Sequence, residues 1–155
     1  AGAVVTVADP RAEVTAKAAA ELGVRVVAPE EILTVETDFL VPCALGGIIN
    51  ADTVDRIAAR FIVGAANNQL ADPALSARLL ERGILHAPDF LVSAGGVIGG
   101  AVELVGFDEA EVRARSEAIG PAVVDVLRRA EELGLDPLTA AEHAVAERLA
   151  AEAAA

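Results

Sequence analysis

Polar and small residues that could contact a nucleotide follow short apolar runs at three places in this sequence. Asp9 comes directly after residues 4–8, Pro42-Cys43-Ala44 after residues 39–41, and Asn67 shortly after residues 61–63. Open parallel sheets bind their ligands at the carboxyl ends of the strands, where such residues would lie. A carboxylate there can accept hydrogen bonds from both hydroxyls of an adenosine ribose, each worth about 1.5–3 kcal/mol.

Each of these residues also has a plain structural interpretation. Asp9 could only cap the helix that follows it, and paired asparagines such as Asn67-Asn68 are ordinary turn residues. Cys43 is predicted to be a small buried hydrophobe rather than a reactive thiol, because no neighbouring cation or helix start favours its thiolate. The residue types alone therefore leave nucleotide binding at Asp9 and Asn67 open.

The apolar runs predict the strands that position these residues. Short strands are expected at about residues 4–8, 24–27, 39–41 and 61–63, and their apolarity is continuous rather than alternating. Such runs are typical of parallel strands that are buried on both faces and joined by helices. The expected helices cover residues 10–22, with Asp9 as N-cap and Gly23 as the stop, and about residues 52–59 and 73–82. This order predicts an α/β fold.

The second half of the sequence predicts helices without strands. Asp108 is expected to cap a helix that Gly120-Pro121 should kink or break, and Asp136-Pro137 should start a last helix that ends near Leu149. No linker composition separates these helices from the rest of the chain. Residues 107–155 are therefore expected to form a helical cover on a domain of residues 1–106.

Composition and charge narrow the classes of partner. The formal net charge is −12, and Lys17 is the sole lysine among 12 cationic residues, which argues against a nucleic-acid or membrane surface. No apolar run reaches the ~18 residues that a membrane-spanning helix needs. The single cysteine, Cys43, fits a reducing compartment, and we expect a cytoplasmic protein. His86 and His143 lack carboxylates at ligand spacing, so no metal is expected.

Four motifs occur in the order and spacing of one known family. They are Pro42-Cys43-Ala44-Leu45-Gly46-Gly47, Gly64-Ala65-Ala66-Asn67-Asn68-Gln69, Arg82-Gly83-Ile84-Leu85-His86-Ala87-Pro88-Asp89-Phe90 and Ser93-Ala94-Gly95-Gly96-Val97-Ile98. With these motifs, residues 1 to about 150 resemble the coenzyme-binding domain of the glutamate/leucine/phenylalanine/valine dehydrogenases, closest to the branched-chain and phenylalanine branch. The resemblance implies a Rossmann-like, doubly wound, mostly parallel sheet, and NAD as the coenzyme.

The resemblance also implies roles for individual residues. Coenzyme contacts fall on Asp9, Cys43, Ala44, Ala65, Ala66 and Asn67, and substrate contacts fall on Ser93, Val97 and Gly100. Ser93 stands where the family usually has Asn, which shortens the side chain and removes an amide donor. Gly100 either widens the substrate pocket or serves packing alone. An acidic residue at position 9 repels a 2′-phosphate, which favours NAD over NADP.

One motif of dinucleotide-binding folds does not occur in the sequence. The turn G-x-G-x-x-G should lie about 20 residues before the acidic residue, and only eight residues precede Asp9. We therefore expect an amino-terminally truncated fragment that also lacks the central first strand. The strands at residues 4–8 and 39–41 would flank that strand. Their free edges should close onto each other, pair with a second chain or leave the segment marginally stable. Residues 95–100 are a weaker candidate for a substitute phosphate loop.

The resemblance implies oxidation of a branched-chain or aromatic L-amino acid by NAD to a 2-oxo acid and ammonium. The family's catalytic lysines and aspartate belong to an amino-terminal substrate domain, so no catalytic residue is expected in this chain. Lys17 cannot replace them, because it lies on the helix after Asp9, away from the ligand edge of the sheet. The parent enzyme is expected to contain that domain and to form a homo-oligomer. The alternative is a catalytically inert, stand-alone Rossmann-like module for binding or assembly.

Overall fold

The strands of the computed structural model form two separate parallel sheets. The model describes residues 2–106 and 108–154. The first sheet pairs β1 (Thr6–Val7) with β2 (Arg25–Val26). The second sheet contains β3 (Thr37–Leu40), β4 (Ala59–Ile62) and β5 (Leu85–His86), in that order. All the pairings between these strands are parallel, as the continuous apolar runs predicted.

Helices connect the strands and follow them. In chain order, α1 (Ala12–Leu22) lies between β1 and β2, and α2 (Leu75–Glu81) lies between β4 and β5. The helices after β5 are α3 (Asp89–Val92), α4 (Gly95–Val105), α5 (Glu109–Glu117), α6 (Ile119–Leu133) and α7 (Pro137–Ala153). Parallel strands with helical connections, followed by helices alone, confirm the predicted Rossmann-like α/β fold.

Three helix ends form where the sequence predicts them. Gly23 ends α1 in the left-handed conformation, with φ 66°. Asp108 caps α5 by accepting from the backbone N–H of Glu111 at 2.8 Å. In turn, the Glu111 carboxylate accepts from the backbone N–H of Asp108 at 3.2 Å. Asp136 caps α7 by accepting from the N–H groups of the second and third helical residues. Such caps stabilise a helix by about 1 kcal/mol each, and their local nature makes them readable from sequence.

The helix predicted over residues 52–59 is wrong. A single short 3₁₀ turn, Val54–Arg56, occurs there, and β4 already begins at Ala59. The Asn50 side chain accepts from the N–H groups of Asp52 and Thr53 at 3.0 and 3.2 Å. Side-chain bonds of this kind compete with the backbone bonds of a helix, which explains the turn.

Two further boundaries differ from expectation. The N-cap of α1 is Arg11 rather than Asp9, although Asp9 accepts a hydrogen bond from the Arg11 N–H at 2.9 Å. The break expected at Gly120-Pro121 occurs earlier, at Ala118 between α5 and α6. Pro121 lies in the first turn of α6, where the missing N–H of proline costs no helical bond.

The core lies on the second sheet. Ile49, Ile57, Ile62 and Leu79 are 0–2% exposed, and β3, β4 and α2 each contribute to this cluster together with the segment between β3 and β4. The fully buried members are aliphatic, and each such side chain contributes about 1.5–3 kcal/mol on burial. This cluster fixes the carboxyl ends of β3 and β4, from which the candidate site is built.

The edges of β1 and β3 that face no other strand stay apolar and exposed. Val5, Phe39 and Val41 are 46%, 58% and 57% exposed, and no pairing joins β1 to β3 among the described strands. Of the three outcomes expected for these edges, their closure onto each other is therefore not observed. Burial on both faces, expected for the strand at residues 39–41, is likewise not observed, because Phe39 and Val41 stay more than half exposed, although the Phe39 ring stacks on the Phe61 ring with centroids 5.1 Å apart.

The carboxyl-terminal helices pack on one another and on the second sheet. α7 contacts α6 and β5, and α6 contacts α3. Pro137 at the start of α7 and Ala140 in its first turn are buried. The division expected between residues 106 and 107 falls on Phe107, which lies outside the described residues.

Candidate functional site

The loops that follow β3 and β4 lie side by side at the carboxyl ends of these strands. The N–H of Ala66 donates to the Pro42 carbonyl at 3.0 Å, and the N–H of Gly47 donates to the Asn68 carbonyl at 2.7 Å. Cys43 and Ala44 belong to the first loop and Ala65, Ala66 and Asn67 to the second, a set that sequence analysis assigned to the coenzyme. Five of the six predicted coenzyme residues therefore share one edge of the sheet.

Two glycines permit this close approach. A Cβ on Gly64 would lie 2.2 Å from the Pro42 carbonyl oxygen, and a Cβ on Gly46 would lie 2.7 Å from the Asn67 carbonyl oxygen. Both distances are far shorter than any non-bonded contact of a real side chain. Glycine at positions 46 and 64 is thus a steric requirement of the paired loops.

A buried glutamine holds the second loop in shape. Gln69 is fully buried, and its Nε2 donates to the carbonyls of Gly64 and Ala66 at 2.8 and 2.9 Å. Its backbone N–H donates to the Asp89 carboxylate at 2.6 Å, which ties the loop to the start of α3. We call Gln69 and Asp89 the loop clamp. Neither residue was predicted to have a role, although both lie inside the motifs quoted above.

Among the residues of the two loops, the exposure of one side chain, that of Cys43, differs from the prediction. Cys43 is exposed rather than a buried hydrophobe, because Pro42 before it turns inward and leaves the thiol at the surface. Ala44, Ala65 and Asn67 are also exposed, whereas Ala66 is 4% exposed, so only its backbone could face a ligand. The accessible surface of the loops thus includes small side chains, the amides of Asn67 and Asn68, and Leu45, which is 83% exposed.

Ser93 contacts Asn67 directly. The Ser93 Oγ donates to the Asn67 Oδ1 at 2.9 Å, which links the end of α3 to the loop after β4. A residue predicted to contact the substrate and one predicted to contact the coenzyme are therefore hydrogen-bonded to each other. With its oxygen taken by Ser93, the Asn67 amide keeps two N–H donors for other partners.

Val97 and Gly100 lie on α4, near Ser93 in sequence. Val97 is 78% exposed, and a Cβ on Gly100 would meet nothing within 4 Å. The structure therefore leaves open space at both predicted substrate positions. Residues 95–100 are helical throughout, so they do not form the glycine-rich turn that was the weaker candidate for binding phosphates.

Asp9 lies apart from these loops, just after β1 in the first sheet. It lines an open cleft of about 560 Å³ together with Thr15 on α1, Arg25 on β2 and Glu31. Its carboxylate is engaged by the Arg11 guanidinium, with Nε to Oδ1 at 3.0 Å and Nη2 to Oδ2 at 3.1 Å. These hydrogen bonds lower the pKa of Asp9 below its usual value and raise the pKa of Arg11.

His86, at the end of β5, is a buried imidazole. It is 2% exposed, and neither ring nitrogen has a hydrogen-bond partner among the described residues. Burial lowers the pKa of His86, and the charges of Asp89 and Asp136 oppose that shift only in part. The imidazole is therefore neutral in the folded protein at neutral pH.

This burial makes acid stability a testable property. The pKa of His86 is lower in the folded state than the value of about 6.5 expected for the unfolded state. At pH values between these two, the unfolded state therefore binds more protons. The free energy of unfolding should therefore fall as the pH drops below about 6.5. We expect His86→Leu to weaken this loss, as measured by urea denaturation at about pH 7 and about pH 5. The control is His143→Leu, since His143 is exposed on α7. Equal pH dependence in His86→Leu and the unmodified protein would contradict the expectation.

Two further kinds of site are absent from the described residues. They contain no cluster of histidine, cysteine, aspartate and glutamate that could hold a metal ion. None of their helices is both long and apolar enough to cross a membrane.

The known proteins reported below as similar to this chain are all named dehydrogenases. A family model described as glutamate/leucine/phenylalanine/valine dehydrogenase matches residues 2–155. Valine dehydrogenase from Streptomyces coelicolor is 42% identical over 158 residues, which covers 96% of this chain and 42% of that enzyme.

Two solved structures show the same similarity. The L-tryptophan dehydrogenase of Nostoc punctiforme superposes with a TM-score of 0.92 at 32% identity, over 97% of this chain and 45% of that chain. A leucine-bound, hetero-hexameric glutamate dehydrogenase from Thermus thermophilus gives a TM-score of 0.66 at 36% identity, over 89% of this chain and 35% of that chain. The chain spans less than half the length of each of these proteins.

Proposed function

The chain belongs to the glutamate/leucine/phenylalanine/valine dehydrogenase family, as its motifs predicted, and on this basis we propose that it is the coenzyme-binding part of an NAD-dependent L-amino-acid dehydrogenase. The proposed reaction converts a branched-chain or aromatic L-amino acid and water to a 2-oxo acid and ammonium. When bound, NAD supplies the hydride acceptor for this reaction. The residues of this chain bind and orient the coenzyme and one side of the substrate.

The paired loops after β3 and β4 are the observation that carries this proposal. Gly46 and Gly64 bring the loops into contact, and the loop clamp fixes the second loop. The result is a closely packed pair of loops at the carboxyl ends of parallel strands, where dinucleotides bind in folds of this class. A flat ring and a ribose can lie against the small residues Ala44 and Ala65, and Leu45 next to Ala44 adds an exposed apolar side chain.

The individual roles follow from the chemistry of each group. We assign Asp9 to the adenosine ribose, the backbone of Cys43 and Ala44 to the middle of the coenzyme, and residues 65–67 to its nicotinamide end. The two free N–H donors of Asn67 suit a carboxamide oxygen. Ser93, Val97 and Gly100 are assigned to the substrate, and the open space at the last two suits a side chain of some bulk.

We propose that catalytic groups come from a substrate domain outside this chain. Lys17, the sole lysine of the sequence, lies on α1 in an exposed ion pair with Glu21, away from the paired loops. Residues 1–106 would form the partial dinucleotide-binding domain and residues 107–155 its helical cover. The exposed edges of β1 and β3 suit an intervening strand of the same protein, because an edge strand presents unpaired N–H and C=O groups.

We also propose that the parent enzyme is a cytoplasmic homo-oligomer. A structural relative is a hexamer, although of two kinds of subunit. Exposed apolar residues of the carboxyl-terminal helices, including Leu104 and Leu149, are available for contacts between subunits.

Steady-state kinetics of the full-length protein that contains this chain test the proposed function. With L-valine, L-leucine or L-phenylalanine as substrate, we expect NAD to be reduced with a kcat/KM at least about tenfold above that for NADP, because Asp9 repels a 2′-phosphate. Ammonium and 2-oxo acid should form in amounts equal to the NADH. A preference for NADP would contradict the assignment of Asp9, and binding of NAD without turnover of any L-amino acid would favour the binding module.

A further inference from the structure

Arg11 occupies most of the acceptor capacity of Asp9. A carboxylate offers about four lone-pair positions, two on each oxygen. Oδ1 accepts from the backbone N–H of Arg11 at 2.9 Å and from its Nε at 3.0 Å, and Oδ2 accepts from its Nη2 at 3.1 Å. One position, on Oδ2, remains for another donor. The two hydroxyls of a ribose therefore cannot both bind Asp9 unless one bond to the guanidinium opens.

The guanidinium of Arg11 is itself suited to a phosphate. Its planar fork matches two oxygens of a phosphate group as well as it matches a carboxylate. The side chain is 67% exposed, so the carboxylate of Asp9, rather than burial, holds it in place. Removal of the Asp9 side chain would leave the fork free beside the cleft that Asp9 lines.

The rest of the cleft supports the same chemistry. Arg25 lines the cleft together with Asp9, and Glu31 is the other charged residue in its lining. Without Asp9, Arg25 and Glu31 would remain in the lining, and Arg11, which lies between the lining residues Pro10 and Ala12, would add its charge beside the cleft. The local charge would then change from neutral to positive. A positive cleft attracts the additional negative charge of a 2′-phosphate.

We propose that Arg11 is a second coenzyme-specificity residue, held by Asp9 in an ion pair that withholds a phosphate-binding guanidinium from NADP. The proposal rests on the proposed function, in which Asp9 faces the adenosine ribose. It differs from simple repulsion by Asp9, because it assigns the NADP-binding capacity to one named cation. The hydrogen bonds of this pair lower the pKa of Asp9 and raise the pKa of Arg11, so they favour the ionised form of both groups.

Fluorescence titration of the full-length protein with NADH and NADPH tests the role of Arg11. We expect Asp9→Ser to bind NADPH about tenfold more tightly than the unmodified protein does, because Arg11 gains one charge-assisted contact with the 2′-phosphate. The same variant should bind NADH about tenfold less tightly, because one charge-assisted contact with the ribose is lost. In the double variant Asp9→Ser/Arg11→Ala, the gain for NADPH should disappear. Glu21→Ser removes one negative charge from the exposed Lys17–Glu21 pair at the far end of α1 and serves as the matched control.

The outcomes separate this inference from the proposed function. An NADPH gain that persists in the double variant, or that Glu21→Ser also shows, would overturn the role of Arg11. Tight NADH binding by the unmodified protein with no NADPH gain in Asp9→Ser would overturn it as well and leave the proposed function standing. Failure of the folded, unmodified protein to bind either coenzyme would instead overturn the coenzyme assignment and this inference with it.

Discussion

Gly64→Ala is expected to lower the free energy of unfolding by about 3 kcal/mol and to abolish measurable NADH binding. The new Cβ would lie 2.2 Å from the Pro42 carbonyl oxygen and 2.6 Å from the Pro42 nitrogen and Cδ. These atoms belong to the backbone or to a proline ring, so they cannot move aside as a flexible side chain would. The loop after β4 must therefore separate from the loop after β3, and the hydrogen bond from Ala66 to Pro42 is lost. Urea denaturation and NADH titration of the full-length protein measure the two effects.

Gly120→Ala is the matched control for this substitution. Gly120 lies in α6, and a Cβ there would meet nothing within 4 Å. Alanine in a helix is more stable than glycine by about 1 kcal/mol, so this variant should be as stable as the unmodified protein or slightly more so. Equal stability of the Gly64 and Gly120 variants would show that the two loops do not approach as described.

Gln69→Leu is expected to destabilise the protein by about 2–4 kcal/mol, because two buried carbonyls lose their donor at once. The carbonyls are those of Gly64 and Ala66, and they set the conformation of the loop that presents Asn67. Affinity for NADH should fall together with stability, since the loop no longer holds one shape. The measurements are the same denaturation and titration.

Asn67→Ala separates the two effects on the same loop. Asn67 is exposed, and in the part of the chain that the structure describes its side chain bonds to Ser93, so stability should change by no more than about 0.5 kcal/mol. NADH affinity should still fall. If Gln69→Leu proved as stable as Asn67→Ala, the loop clamp would have no structural role.

Local signals in the sequence predicted many of the helix ends correctly. Gly23, Asp108 and Asp136 act through bonds to residues no more than four positions away, so their effect can be read from neighbouring residues. The continuous apolar runs likewise predicted parallel strands, because the pattern depends on burial of both faces. The helix expected over residues 52–59 does not form, again for a local reason, because the side chains of Asn50 and Thr53 hydrogen-bond to nearby backbone groups and form a turn there.

Contacts between distant residues could not be predicted from the pattern. The bond between the Gln69 N–H and Asp89 spans 20 residues, and that between Ser93 and Asn67 spans 26. Both depend on the pairing of β4 with β5, which brings α3 beside the loop after β4. The exposure of Cys43 and the open edges of β1 and β3 are also tertiary results, because composition does not say what covers a given strand.

The pairing of Asp9 with Arg11 lies between these cases. The two residues are two positions apart, so a sequence signal existed, yet a cap and a ribose contact both explain an aspartate after a strand. The structure shows a third interaction of Asp9, the ion pair with the Arg11 guanidinium. Sequence predicted the acidic residue at this place, and structure added the cation that limits its free acceptors.

A crystal structure of the full-length protein with NAD tests most directly whether this chain forms the coenzyme site. We predict that the adenosine ribose lies within hydrogen-bond distance of Asp9, with at least one Arg11 contact opened, and that the nicotinamide end lies against residues 65–67. The coenzyme should pass along the backbone of Cys43 and Ala44. A coenzyme bound at residues 95–100, or in contact with neither of the paired loops, would contradict the proposed site.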